Sequence, residues 1–115
     1  MLTDQSKVWI YNKSTDMRKA IDGLSMLVYN TMEMNPTNGE VYVFWNYKRD
    51  KLKILYWHIN GFCMLYKRLE KERFKVPKDL PTVLAVTSKE LRWLLEGLDF
   101  TKIDGHKELK YDIFC

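Results

Sequence analysis

The sequence predicts an α+β fold: a small, mostly antiparallel sheet with three helices, in the order βαββαββα. Two observations predict it. Runs of four to six residues rich in Val, Ile, Trp, Tyr and Phe recur between polar turn segments, the pattern of short strands. Between them lie stretches whose apolar residues repeat at helical spacing. Val8-Trp9-Ile10-Tyr11 reads as the first strand. Ser14 and Thr15 precede a helix expected to begin near Asp16, with Thr15 as N-cap and Asp16 at the positive end of the helix dipole. Met17, Ala20, Ile21, Leu24, Leu27, Val28 and Met32 form its apolar face. Gly23 inside it suggests close approach to the sheet or a neighbouring element. Pro36 and Gly39 mark the loop that ends the unit.

Val41–Trp45 and Leu52–Trp57 read as a hairpin around the polar loop Asn46 to Lys51. Alternation puts Leu52, Ile54 and Tyr56 on one face of the second strand, and Lys53, Leu55 and Trp57 on the other. After Asn60-Gly61, Phe62, Leu65, Tyr66 and Leu69 fit the i, i+3, i+4, i+7 template. A two-residue period would mix apolar and charged groups on each face. The spacing therefore predicts a helix from Asn60 to Lys71 with Lys67, Arg68 and Lys71 on its outer face. Arg73 to Val76 reads as a short strand ended by Pro77, and Val83 to Val86 as another. Thr87-Ser88-Lys89-Glu90 has capping-box spacing, and Leu91, Leu94, Leu95 and Leu98 supply the face of a last helix. No internal repeat or domain boundary is visible, so residues 1–100 read as one domain and 101–115 as a polar tail.

Composition narrows the function. The chain has 115 residues, of which 46% are hydrophobic and 14% aromatic, too apolar for intrinsic disorder. Its longest apolar runs, Val41–Trp45 and Phe62–Tyr66, are far short of the roughly twenty residues that span a bilayer. The start, Met1 to Lys7, is polar and lacks a secretory apolar stretch, so a soluble cytoplasmic protein without membrane attachment is expected. Cys63 and Cys115 make no disulfide framework, and with His58 and His106 they show no zinc spacing. No cofactor is implied.

Charge is more informative. Residues 48–78 carry ten basic and three acidic groups, whereas the segments before and after are each slightly acidic. A basic stripe on a near-neutral body is the footprint of a polyanion binder. The candidate nucleic-acid contacts are Lys48, Arg49, Lys51 and Lys53 around the hairpin tip, and Lys67, Arg68 and Lys71 on the helix expected to follow. Arg49 and Arg68 have the planar fork suited to bidentate phosphate or guanine contacts. The competing reading is a solvated lysine-rich face. A stacking platform for single-stranded bases needs two or more exposed aromatics on one face among cations. Trp57 shares strand parity with Lys53, although core packing is the default for a strand aromatic. Trp93 lies opposite the last helix's leucine face, either as an exposed partner anchor or packed beneath the C-terminal tail. Asp16, Asp22, Asp50 and Glu70 are each explained by helix ends, turns or surfaces, and no phosphate loop or nucleophile–base pair accompanies them. An enzyme is not expected.

Several motifs in fixed order resemble the TnpB (second open reading frame) accessory proteins of the insertion-sequence-sixty-six family. They are Ile10-Tyr11, Ser14 to Lys19, Ile21-Asp22-Gly23-Leu24, Val43-Phe44, Arg49-Asp50, Lys53 to Trp57, Asn60 to Cys63, Leu65 to Glu70 and Leu94 to Asp99. The resemblance covers about residues 8–100. Two positions depart from it: His58 stands where an acidic residue is usual, and Ala20 where Gly is common. The resemblance implies a role in DNA transposition beside a separate transposase that cleaves and joins strands. The partners to expect are therefore DNA at the element ends and that transposase. An adaptor that docks on the transposase without touching DNA is the alternative.

Overall fold

The computed structural model describes residues 6–75 and 79–102. Its framework is a five-stranded mixed sheet in the order β4-β3-β2-β1-β5. The strands are β1 (Lys7–Ser14), β2 (Val41–Trp45), β3 (Lys51–His58), β4 (Gly61–Arg68) and β5 (Val83–Thr87). Helix α1 (Ile21–Asn30) connects β1 to its parallel neighbour β2, and every other pairing is antiparallel. Helix α2 (Ser88–Leu95) follows β5 directly and leads to a short 3-10 turn at Phe100–Lys102.

The sheet separates two cores. On one face Leu24, Val28 and Met32 pack against Tyr42, Phe44 and Leu55. On the other, Leu91, Leu94 and Phe100 pack against Val8, Ile10, Val43, Leu52 and Ile54. The two faces of β3 divide as alternation predicts, because a central strand between two layers must bury both sides.

The expected third helix at 60–71 is instead strand β4, so the described residues contain two α-helices. His58 pairs with Gly61 across a two-residue turn, and the ladder runs on to Lys51 opposite Arg68. β4 is an edge strand. Its first half packs Phe62 and Met64 towards α1 and Cys63 towards α2, while Leu65, Tyr66, Lys67 and Arg68 are exposed. With no buried face over that half, the two-residue alternation never appears in the sequence.

Helix α1 begins at Ile21, five residues later than Asp16, and its N-cap is Ala20 in extended conformation with no side-chain cap. Thr15 therefore caps nothing. Residues 15–20 form a bend in which Asp16 accepts from the backbone N–H and the guanidinium of Arg18. The Met17 and Lys19 carbonyls, which a longer helix would use internally, accept from Lys53 Nζ at 2.8 Å each. A Cβ on Gly23 would meet the Lys19 side chain at 3.2 Å, so the close approach is to that lysine and not to the sheet. The capping box at Thr87 and Glu90 forms as the spacing predicts. Residues 72–75 carry no strand; Val76 to Lys78, like the tail from residue 103, lie outside the described residues.

Candidate nucleic-acid interface

The site grows from the β2–β3 connection. Asn46 organises it: its side-chain oxygen accepts from the Asp50 and Lys51 N–H groups, and its amide donates to the Asp50 carboxylate at 2.7 Å. That bond, with Lys51 and Lys48 nearby, lowers the Asp50 pKa and keeps the carboxylate inside the loop. Arg49 sits at φ 62, and its carbonyl accepts from Phe74 N–H at 2.7 Å, while Asp50 O accepts from Leu69 N–H at the same distance. These two bonds, with the buried Phe74 side chain, strap segment 69–74 across the loop and carry Arg73 to its flank.

On the other flank is the end of β1. Its register against β2 shifts between Ile10 and Ser14, a bulge that carries two extra residues into the space beside the loop. The outcome is a cleft of about 610 Å³ whose lining includes Lys13, Lys48, Arg49 and Arg73, and no carboxylate. A second cleft, of about 650 Å³, shares Ser14, Asn46, Tyr47 and Lys48 with the first and continues over Arg18, Lys51 and Tyr66. Its one acidic lining residue, Asp16, is held by Arg18, whose hydrogen bonds bring the carboxyl pKa down to about 2. Tyr47, 86% exposed, forms the ridge between the two.

The seven cations expected from sequence do not form one surface. Lys48 and Arg49 line the first cleft, and Lys48 and Lys51 the second. Lys53 does not belong with them: it is only 9% exposed and its ammonium is spent on the Met17 and Lys19 carbonyls, with Tyr66 above it at 5.6 Å. Lys67 points to the opposite face, where it donates to Leu95 O at the C-terminus of α2, the negative end of that helix dipole. Arg68 is paired with Glu70 at 2.9 Å, and Lys71 is exposed but lines neither cleft. The fold supplies Lys13 and Arg73 in place of the displaced lysines. Sequence reasoning passed over Lys13 because it lies in a segment of near-neutral charge, and Arg73 because it was assigned to a strand. Tyr47 and Tyr66 were overlooked as well; the only signal was an aromatic in an otherwise polar hairpin loop. Trp57 packs edge-on against Phe62, with ring centroids 5.0 Å apart. Trp93 is half-buried against the α2-side core.

The family model described as IS66 Orf2 like protein matches residues 6–105. The chain belongs to that family. Two relatives from Sinorhizobium fredii are similar to this IS66 Orf2-like chain. The uncharacterized protein y4hO is 32% identical over 94 residues, 82% of either chain. The uncharacterized protein y4jC is 28% identical over 97 residues, covering 84% of this chain and 83% of its own. No solved structure matches. Membership of the IS66 Orf2-like family implies a role in IS66 transposition. Among the described residues no group of three or more His, Cys, Asp or Glu side chains is placed to hold a metal ion, and no helix is long and apolar enough to cross a membrane.

Proposed function

We propose that this IS66 Orf2-like protein is an accessory subunit in transposition of its element, and that it binds DNA through the loop end of the sheet. The observation that supports the reading is the first cleft: Lys13, Lys48, Arg49 and Arg73 converge there from three chain segments, without a lining carboxylate and without ion pairs among the described residues. Unpaired cations held that close repel one another and gain most from a polyanion, whose bound counterions they displace. No cofactor enters this reading.

The adaptor alternative needs an accessible anchor for the transposase. Trp93, its candidate, is half-buried against Leu91 and Leu94's own core, which leaves little ring to offer a partner. The test of DNA binding is an affinity series on terminal element DNA at two salt concentrations. The five unpaired cleft cations, Lys13, Lys48, Arg49, Lys51 and Arg73, predict a slope of log affinity on log salt of about −4.5. Reversing Arg49 and Arg73 to Glu abolishes binding at low salt on this reading; binding that survives the double reversal unchanged rejects it.

A further inference from the structure

The second cleft differs from the first in kind. It has fewer unpaired cations, two tyrosines, and a buried hydroxyl with nothing to bond. Thr15, 6% exposed, lines the cleft, and its Oγ1 has no hydrogen-bond partner. The neighbouring groups that might serve it are occupied: Asn46 is consumed by the loop, Asp16 by Arg18, and Thr15's own N–H by Trp45 O. Thr15 Oγ1 is sealed beneath the cleft surface, so what a ligand meets here are the aromatics and the cations. Tyr47 and Tyr66, 86% and 51% exposed, border the same space, and Lys48 and Lys51 stand beside them. The volume, about 650 Å³, lies within the range of small-ligand sites and admits a nucleobase.

We infer that this cleft receives an unpaired nucleobase, stacked against Tyr47 or Tyr66, with Lys48 and Lys51 on the flanking phosphates. The inference rests on the proposed DNA-binding role and narrows its ligand to single-stranded or locally unpaired DNA. In a base-paired duplex the π-faces are stacked on neighbouring pairs, so neither tyrosine would find a base to stack on. A strand leaving this cleft runs over the Tyr47 ridge, where Lys48 is shared, into the carboxylate-free cleft that holds its next phosphates.

The test compares fluorescence anisotropy of an oligothymidylate of about twenty nucleotides with that of a blunt hairpin duplex of equal phosphate number, at one salt concentration. The full chain binds the single strand at least about tenfold more tightly. Tyr47→Ala with Tyr66→Ala removes that preference and leaves duplex affinity within about twofold, because stacking is lost and the cations stay. Equal or tighter duplex binding overturns base insertion and leaves the DNA-binding role standing. Binding to neither probe at low salt overturns both.

Discussion

Replacing Lys53 by Met separates a cation that builds the fold from one that meets a ligand. Lys53 sits in the +7 segment and was expected to touch phosphate, yet its ammonium lies under the bend of residues 15–20 and donates to two carbonyls at 2.8 Å. Hydrogen bonds from a charged donor each contribute about 1.5–3 kcal/mol. Methionine keeps most of the aliphatic packing, and the ammonium's desolvation cost disappears with it, which offsets part of the loss. The Met17 and Lys19 carbonyls remain, partly reached by water once the bend loosens. A net loss of about 2 kcal/mol follows, or a melting temperature lower by about 8 °C for a domain of this size. Scanning calorimetry or thermal circular dichroism measures it. The second readout is DNA affinity across a salt series. A lysine bound to phosphate would take about 0.9 off the salt slope when removed, whereas Lys53→Met leaves the slope of the folded protein unchanged. A melting temperature within about 2 °C of the parent, or a slope flatter by that amount, refutes the assignment.

Other perturbations have simpler readings. Thr87→Ala deletes one half of a formed capping box and costs about 1 kcal/mol, seen as a shift of urea midpoint at constant m-value. Ile59 is β-branched, 82% exposed and held at φ 57, with the Asn60 N–H donating to His58 O at 2.6 Å; Ile59→Gly relieves that backbone and raises stability by about 1 kcal/mol in the same assay. Asp16 titrates at about 2 because Arg18 bonds its charged form, and Arg18→Gln returns it towards 3.8, followed by the carboxyl carbon shift in NMR. Since its folded pKa is depressed, whatever Asp16 adds to stability is complete above pH 4 and fades as pH falls towards 2. Lys67→Met weakens the C-terminal anchor of α2 but leaves the salt slope of DNA binding untouched, in contrast to Arg73→Gln, which flattens it by about 0.9.

Where burial was two-sided or chemistry was local, the sequence was legible. The division of β3 into Leu52, Ile54 and Tyr56 against Lys53 and Leu55 follows from parity alone, and the capping box from a four-residue spacing. The failures share a cause. β4 is exposed for half its length, so Leu65 and Tyr66 are apolar without being buried and mimic a helical repeat by accident. Helix α1 starts late because a lysine more than thirty residues away takes the carbonyls of the bend, a contact that local propensity does not contain. The first of these errors fell on the site: with 60–71 read as a helix, Lys67 and Arg68 shared a face that the strand in fact divides.

That division explains why a charge count found the right region and the wrong residues. Successive residues of a strand face opposite layers, so Lys67 goes to α2 and Arg68 to the α1 side, where Glu70 pairs with it. Lys53 faces the α1 layer deep enough to be claimed by backbone. Among the described residues, the unpaired cations that line the two clefts lie on loops and strand ends: Lys48 and Arg49 in the connection, Lys51 where β3 begins, Lys13 at the bulge of β1, and Arg73 on the strap. Chain segments distant in sequence meet there because the parallel β1–β2 pair brings the end of β1 alongside the end of β2, where the loop begins. In this topology a basic residue is free to meet a ligand where its strand ends, not where its segment is most basic. The same rule says that moving a charge along β3, as in Leu55→Lys, yields a destabilised core and no gain in DNA affinity, whereas adding one beside the ridge, as in Ser14→Lys, tightens binding and steepens its salt dependence by about 0.9.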